Sequence, residues 1–157
     1  MSDDKIRPSW KDIHDGCKNI HNQYLNHYSM LPDCVVGLTR GGLIPSTILS
    51  HLFDIPLIPV CYTSAVGKGG KTMYNSKELQ PIDLKPSNHT ELVVFLVDEI
   101  CDSGNTLNEV SRYYISLDYL VVTGVIHHRL DSVHYPTFCS SVLRKADPWV
   151  VYPWEVE

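Results

Sequence analysis

The stretch Val93–Leu107, VVFLVDEICDSGNTL, decides the fold. Together with Leu92 it begins as an unbroken apolar run to Val97, the pattern of a strand covered on both faces, as in a parallel sheet. The run is predicted to end in two acids, Asp98 and Glu99. A short turn follows, and Asp102-Ser103-Gly104-Asn105-Thr106 opens a helix expected from Asn105 to about Ser116. Unpaired backbone N–H groups, a glycine and the Ser103 and Thr106 hydroxyls would form a phosphate cradle at the positive end of that helix. The GxxxxGK[ST] pattern of a Walker loop is absent. Two carboxylates repel a phosphate, so Asp98 and Glu99 suit sugar hydroxyls or a magnesium ion bridging to the ligand. A plain strand–turn–helix with a capping Asp or Ser would explain DSGNT alone, but not the ordered string of strand, acid pair, Asp, Ser, Gly and Thr.

Upstream, Cys34–Leu38 reads as a short buried strand, Thr39-Arg40-Gly41-Gly42 as a glycine turn, and Leu43 to about Phe53 as a helix with Pro45 in its first turn. Leu57–Tyr62 is a second predicted strand. Before these, Ser9 is placed to cap a helix from Trp10 to about Tyr28, whose apolar residues recur at three-to-four spacing. Downstream, strands are expected at Leu120–Ile126, Phe138–Leu143 and Trp149–Tyr152. Helices alternating with strands predict an α/β fold with a mainly parallel sheet flanked by helices. Ligands in such folds bind at the carboxyl ends of strands. Both glycine-containing turns lie there. The polar stretch Thr63 to about His89, with Lys68 and Lys71, is read as a lid or a solvated loop.

Composition sets the outer limits. The 157 residues suit one domain, 1–157, and 43% hydrophobic residues suit a packed core. A formal net charge of −5 argues against non-specific nucleic-acid binding. No apolar run is long enough to span a bilayer, and the charged start MSDDKIRPSW does not read as a secretory signal. Five widely spaced cysteines without a CxxC suggest reduced thiols in a cytoplasm. The histidines form no metal pattern, and His127-His128 reads as a strand-end or surface pair.

DEICDSGNT resembles the phosphoribosyl-pyrophosphate (PRPP) motif of type I phosphoribosyltransferases. The resemblance implies that Asp98 and Glu99 bind the ribose hydroxyls and that Ser103, Gly104, Asn105 and Thr106 hold the 5'-phosphate. It casts Asp102 as the catalytic carboxylate. Asp98 and Glu99 would also hold Mg2+, through water and substrate. VVGLTRGGLIPSTILSHL resembles the pyrophosphate loop of the 6-oxopurine branch, which gives that ligand to Thr39, Arg40, Gly41 and Gly42. Members of the branch often have a non-proline cis peptide in this loop. The C-terminal DPWVVYPWE resembles the W[IV]xxPWE of microbial xanthine–guanine and hypoxanthine–guanine enzymes. There Trp149 would stack on the purine and Val150 would meet its edge through the backbone, with Ile100 also beside the base. Trp154 better suits the core. Those enzymes place a lysine after the strand that follows the PRPP helix. Here Arg129 takes that position as the donor to the base, or His127 in another register. Arginine is larger and planar, so the exchange is not neutral.

The resemblance implies the type I phosphoribosyltransferase fold, with a flexible lid at about 63–89 and a purine-binding hood at about 130–157. It implies transfer of the 5-phosphoribosyl group from PRPP to N9 of guanine, xanthine or hypoxanthine, in a cytoplasmic homodimer or homotetramer. The alternatives are a non-catalytic PRPP or nucleotide-binding regulator on the same fold, and a phosphoribosyltransferase for another base.

Overall fold

The computed structural model describes residues 4–66, 72–87 and 90–156. Five parallel strands form the central sheet in the order β2-β1-β5-β6-β7. They are β1 (Cys34–Leu38), β2 (Leu57–Val60), β5 (Val93–Cys101), β6 (Leu120–Arg129) and β7 (Phe138–Leu143). β3 (Tyr62–Val66) and β4 (Thr72–Lys77) pair as an antiparallel ribbon inside the expected lid region. Lys68 and Lys71 lie outside the described residues.

Alternation along the strands separates two apolar layers. Val35, Phe95, Val97, Val122 and Ile126 pack with α1 (Trp10–His27) and α2 (Leu43–Phe53). Val36, Leu38, Val94, Leu96 and Val125 pack on the other side with α3 (Asn105–Ser116). Strand β5 is thus covered on both faces, as its apolar run predicts. Ser9 and Asp12 close a capping box at the start of α1, which buries Ile13, Gly16, Cys17, Ile20 and Tyr24 along one stripe. Asp33 fixes the base of the sheet. Its carboxylate accepts from Ser87 N at 2.7 Å and from Val93 N at 2.8 Å.

Four expectations need correction. Strand β5 does not stop at the acids but carries them, because β6 pairs beside it as far as Cys101↔His128. Tyr62 belongs to the ribbon rather than to β2. His127 and His128 lie at the end of β6 but are buried rather than on the surface, His127 against the Tyr152 hydroxyl and His128 against the Ser132 hydroxyl just beyond the strand. Trp149–Tyr152 forms a single bridge, Ile6↔Val150, rather than a strand. All five cysteines are free. Burial pushes the Cys17 and Cys34 thiols up to about 12, so neither is a reactive thiolate. Among the described residues, no helix is long and apolar enough to cross a membrane.

Candidate active site

Strands β1 and β5 are neighbours, so their carboxyl ends bring the two glycine-containing turns together. The first, Thr39–Gly42, runs from β1 into α2, whose N-cap Gly42 offers no side-chain cap. The N–H groups of Arg40, Gly41 and Gly42 donate no hydrogen bond among the described residues. They therefore remain available at the positive end of the helix. The Thr39–Arg40 peptide is cis. Thr39 Oγ1 is buried with no hydrogen-bond partner among the described residues, a polar atom that a ligand would satisfy.

The acid pair stands against this turn. A Cβ on Gly41 would collide with the Glu99 carboxylate, and one on Gly42 would lie 2.6 Å from Leu38 O and 2.9 Å from Asp98 Oδ1. Glycine is needed for the two to approach. Glu99 N donates to Asp98 Oδ1 at 2.9 Å. Burial, then the neighbouring Glu99, holds Asp98 well above the ordinary carboxylate range. A buried carboxyl of this kind is stabilised in its charged form by a nearby cation. Among the described residues, no group of three or more His, Cys, Asp or Glu could hold a metal unaided.

The second turn leads from β5 into α3. Gly104 is left-handed at φ 83°, and a Cβ there would lie 2.6 Å from His134 N. Ser103 Oγ accepts from Asn105 N at 3.3 Å, and Ser103 O accepts from Val133 N at 2.8 Å. Behind the turn is a polar cluster from the β6–β7 connection. Ser132 Oγ donates to His134 O at 2.7 Å and also meets His128 Nε2 and Cys101 Sγ.

A cleft of about 720 Å³ joins these parts. Of the predicted residues, Thr39, Arg40, Gly41, Asp98, Glu99, Thr106 and Trp149 line it. Trp149 is 55% exposed, and its indole forms a wall there. An adjoining recess of about 100 Å³ is lined by Ile100, Asp102, Ser103 and Gly104, and shares Asp98 and Thr106 with the cleft. The Val150 side chain is buried in the core instead. Its own N–H and C=O make no hydrogen bond among the described residues, because Ile6 pairs with Trp149 O and Val151 N. Trp154 is packed against the core and stacked on Tyr152 at 4.8 Å, yet it also reaches the cleft.

Arg129 is placed differently from expectation. It does not line the large cleft. Its Nε donates to Asp102 Oδ1 at 2.6 Å, and Nη1 donates to the carbonyls of Arg144 and Asp147 at 2.8 and 3.2 Å. His127 is engaged too. Tyr152 Oη donates to Glu99 O at 3.0 Å, leaving His127 Nδ1 to donate to Tyr152 Oη at 2.9 Å. Burial lowers the His127 pKa, which keeps the ring neutral.

The sequence reading missed Lys5, Tyr62, Val151 and Val156 on the cleft wall, and did not single out Glu155 within its own motif. Lys5 has no local signal. The Ile6–Val150 bridge carries it there. Tyr62 stands where the ribbon leaves β2, and its hydroxyl donates to Glu109 on α3.

Residues 9–157 match the model of the phosphoribosyl transferase domain. A xanthine-guanine phosphoribosyltransferase of Cereibacter sphaeroides is 30% identical over 127 residues, which cover 78% of this chain and 68% of that one. The crystal structure of a purine phosphoribosyltransferase from Pyrococcus horikoshii is similar with a TM-score of 0.77 at 25% identity, covering 98% of this chain and 95% of its own. A hypothetical protein of Neisseria gonorrhoeae, solved with bound ppGpp, has a TM-score of 0.74 at 25% identity and covers 97% and 89%. The parallel sheet, the two turns at adjacent strand ends and the family match over almost the whole length agree: this chain belongs to the phosphoribosyltransferase family and has the type I phosphoribosyltransferase fold.

Proposed function

We propose that this enzyme is a purine-salvage transferase, moving the 5-phosphoribosyl group of PRPP to N9 of guanine, xanthine or hypoxanthine with release of pyrophosphate. The observation that carries this reading is one cleft holding an unpaired glycine turn, two carboxylates and an exposed tryptophan. The N–H groups of Arg40, Gly41 and Gly42, with the partnerless Thr39 hydroxyl, take the pyrophosphate. The recess at Ser103, Gly104, Asn105 and Thr106 takes the 5'-phosphate. Asp98 and Glu99 hold the ribose hydroxyls. Trp149 presents an aromatic face to the base, Val150 offers its free backbone groups, and Ile100 lines the adjoining recess, while Arg129 stands behind Asp102.

Two carboxylates suit Mg2+, which keeps several waters and takes substrate oxygens rather than an all-protein cage. When bound, the ion supplies charge that offsets the leaving pyrophosphate. Asp102 places negative charge near C1 of the ribose as positive charge develops there, which is electrostatic rather than covalent work. The hood at about 130–157 and the lid at about 63–89 exclude water, so that PRPP is not hydrolysed. Residues 1–157 act as one domain, in a cytoplasmic homodimer or homotetramer, without nucleic acid.

The test is pyrophosphate release from PRPP and Mg2+ with each purine base in turn. Turnover with at least one 6-oxopurine is expected, with Asp102→Asn keeping PRPP binding while losing most turnover. Absence of release with every base supports the second reading, a non-catalytic nucleotide-binding regulator. The bound ppGpp of the Neisseria neighbour favours that reading enough to keep it in view.

A further inference from the structure

Arg129 ends strand β6, and its guanidinium is already committed. The side chain is only 11% exposed although it ends a strand beside a cleft. A guanidinium carries five N–H groups in a rigid plane. Here Nε is spent on Asp102 Oδ1, and Nη1 on the carbonyls of Arg144 and Asp147. Those two carbonyls belong to a turn closed on itself. Arg144 N donates to Asp147 Oδ2 at 2.7 Å, and Asp147 N donates to Arg144 O at 3.1 Å. Trp149 follows two residues later, its carbonyl held by Ile6. One edge of the fork therefore grips the carboxylate of the 5'-phosphate turn, and the other grips the turn that carries the aromatic wall.

We infer that Arg129 is a positioning residue and not the donor to the purine. It fixes the Asp102 carboxylate by Oδ1, so that Oδ2 is the oxygen turned to the ligand, and it locks that carboxylate to the Trp149 turn. The distance between the developing charge on the ribose and the plane of the base is thereby set by one side chain. An ammonium radiates its donors from a single point and lacks the planar fork, so a lysine cannot span these acceptors in the same way. The inference rests on the functional reading above for Asp102 and Trp149, but its geometry does not.

The experiment combines a double-mutant cycle with hydrogen exchange on the intact protein. Arg129→Gln and Arg129→Lys are each expected to lower kcat by about tenfold or more through misplacement, with the KM for the base changed less than about threefold. Adding Arg129→Gln to Asp102→Asn is expected to cost clearly less than Arg129→Gln costs alone, since the part of its effect carried through Asp102 is already lost and only its hold on the Arg144–Asp147 turn remains. The inference is overturned if Arg129→Lys matches or exceeds the wild type, or if Arg129→Gln chiefly raises the KM for 6-oxopurines. It is also overturned if the two losses multiply. Amide exchange over residues 144–149 is a readout independent of turnover. It should quicken in both Arg129 variants, and unchanged exchange overturns the inference even if no base is a substrate. Absence of wild-type turnover, by contrast, strikes only the functional reading. Should Arg129→Gln fail to fold, Arg129→Lys, which keeps the charge, carries both measurements.

Discussion

The two glycine-containing turns look alike in sequence and sit at the ends of neighbouring parallel strands, yet they are held in opposite ways. Thr39–Gly42 is anchored at its ends, where Thr39 N donates to Val60 O and Gly42 is packed on main chain. The N–H groups of Arg40, Gly41 and Gly42, however, are unpaired among the described residues, and the group that crowds Gly41 is the far end of Glu99. Asp102–Thr106 is backed by main chain and by a buried polar cluster. Val133 N grips Ser103 O, and His134 N stands where a Gly104 side chain would go. The first turn is open toward a ligand, whereas the second is built into the fold. Gly41 in the first therefore protects the chemistry, and Gly104 in the second protects the structure.

Substituting the glycines should separate the two. Gly41→Ala is expected to have the largest effect, and on activity. The methyl group drives the Glu99 carboxylate aside, and a displaced binding group of this kind costs about a hundredfold in kcat/KM. Thermal unfolding should move little, because the end of a side chain can yield. A Gly41→Ala protein that unfolds early but keeps its kcat/KM would reverse the assignment. Gly104→Ala comes next, and on stability. A left-handed φ and a backbone neighbour that cannot retreat should together cost about 2–3 kcal/mol, a fall in Tm of about 5–10 °C. An unchanged Tm would show that the His134 segment is not a rigid support.

The hydroxyls give a finer comparison. Thr39→Val removes a buried oxygen that has no hydrogen-bond partner among the described residues, so stability should hold or rise slightly while the KM for PRPP rises about threefold to tenfold. Ser103→Ala removes an acceptor that Asn105 N already uses, so some cost should appear in Tm, about 0.5–1 kcal/mol at that helix start. If both variants behave identically in both measurements, the contrast between an open turn and a built-in one is lost.

Local periodicity made most of the frame legible. The bounds of β1, α2, α3 and β7 follow from apolar runs and turns, because each of those elements is decided by its own neighbours in the chain. The two turns were readable for the same reason. What escaped is non-local. The extension of β5 past Asp98 depends on β6 lying beside it, and no property of DEIC announces that pairing. The polar pair His127-His128 points to a surface, but Tyr152 brings its hydroxyl to the His127 ring from the C-terminal segment. Arg129 was readable as an unusual residue in an important place. Its attachment to Asp102 on one side and to residues 144–147 on the other could not be read from spacing.

The bridge between Ile6 and Val150 has a consequence for the order of synthesis. Ile6 N donates to Trp149 O and Ile6 O accepts from Val151 N, so a segment made before the sheet waits for one made after it. By the time β7 emerges, every strand of the sheet has its neighbours, and the main body can collapse. The wall that bears Trp149, and the Lys5 side chain beside it, cannot form until residue 151 is available. A nascent chain would therefore hold its two glycine-containing turns well before the wall of the cleft that carries Trp149. The cleft would be completed only after the whole sheet had emerged.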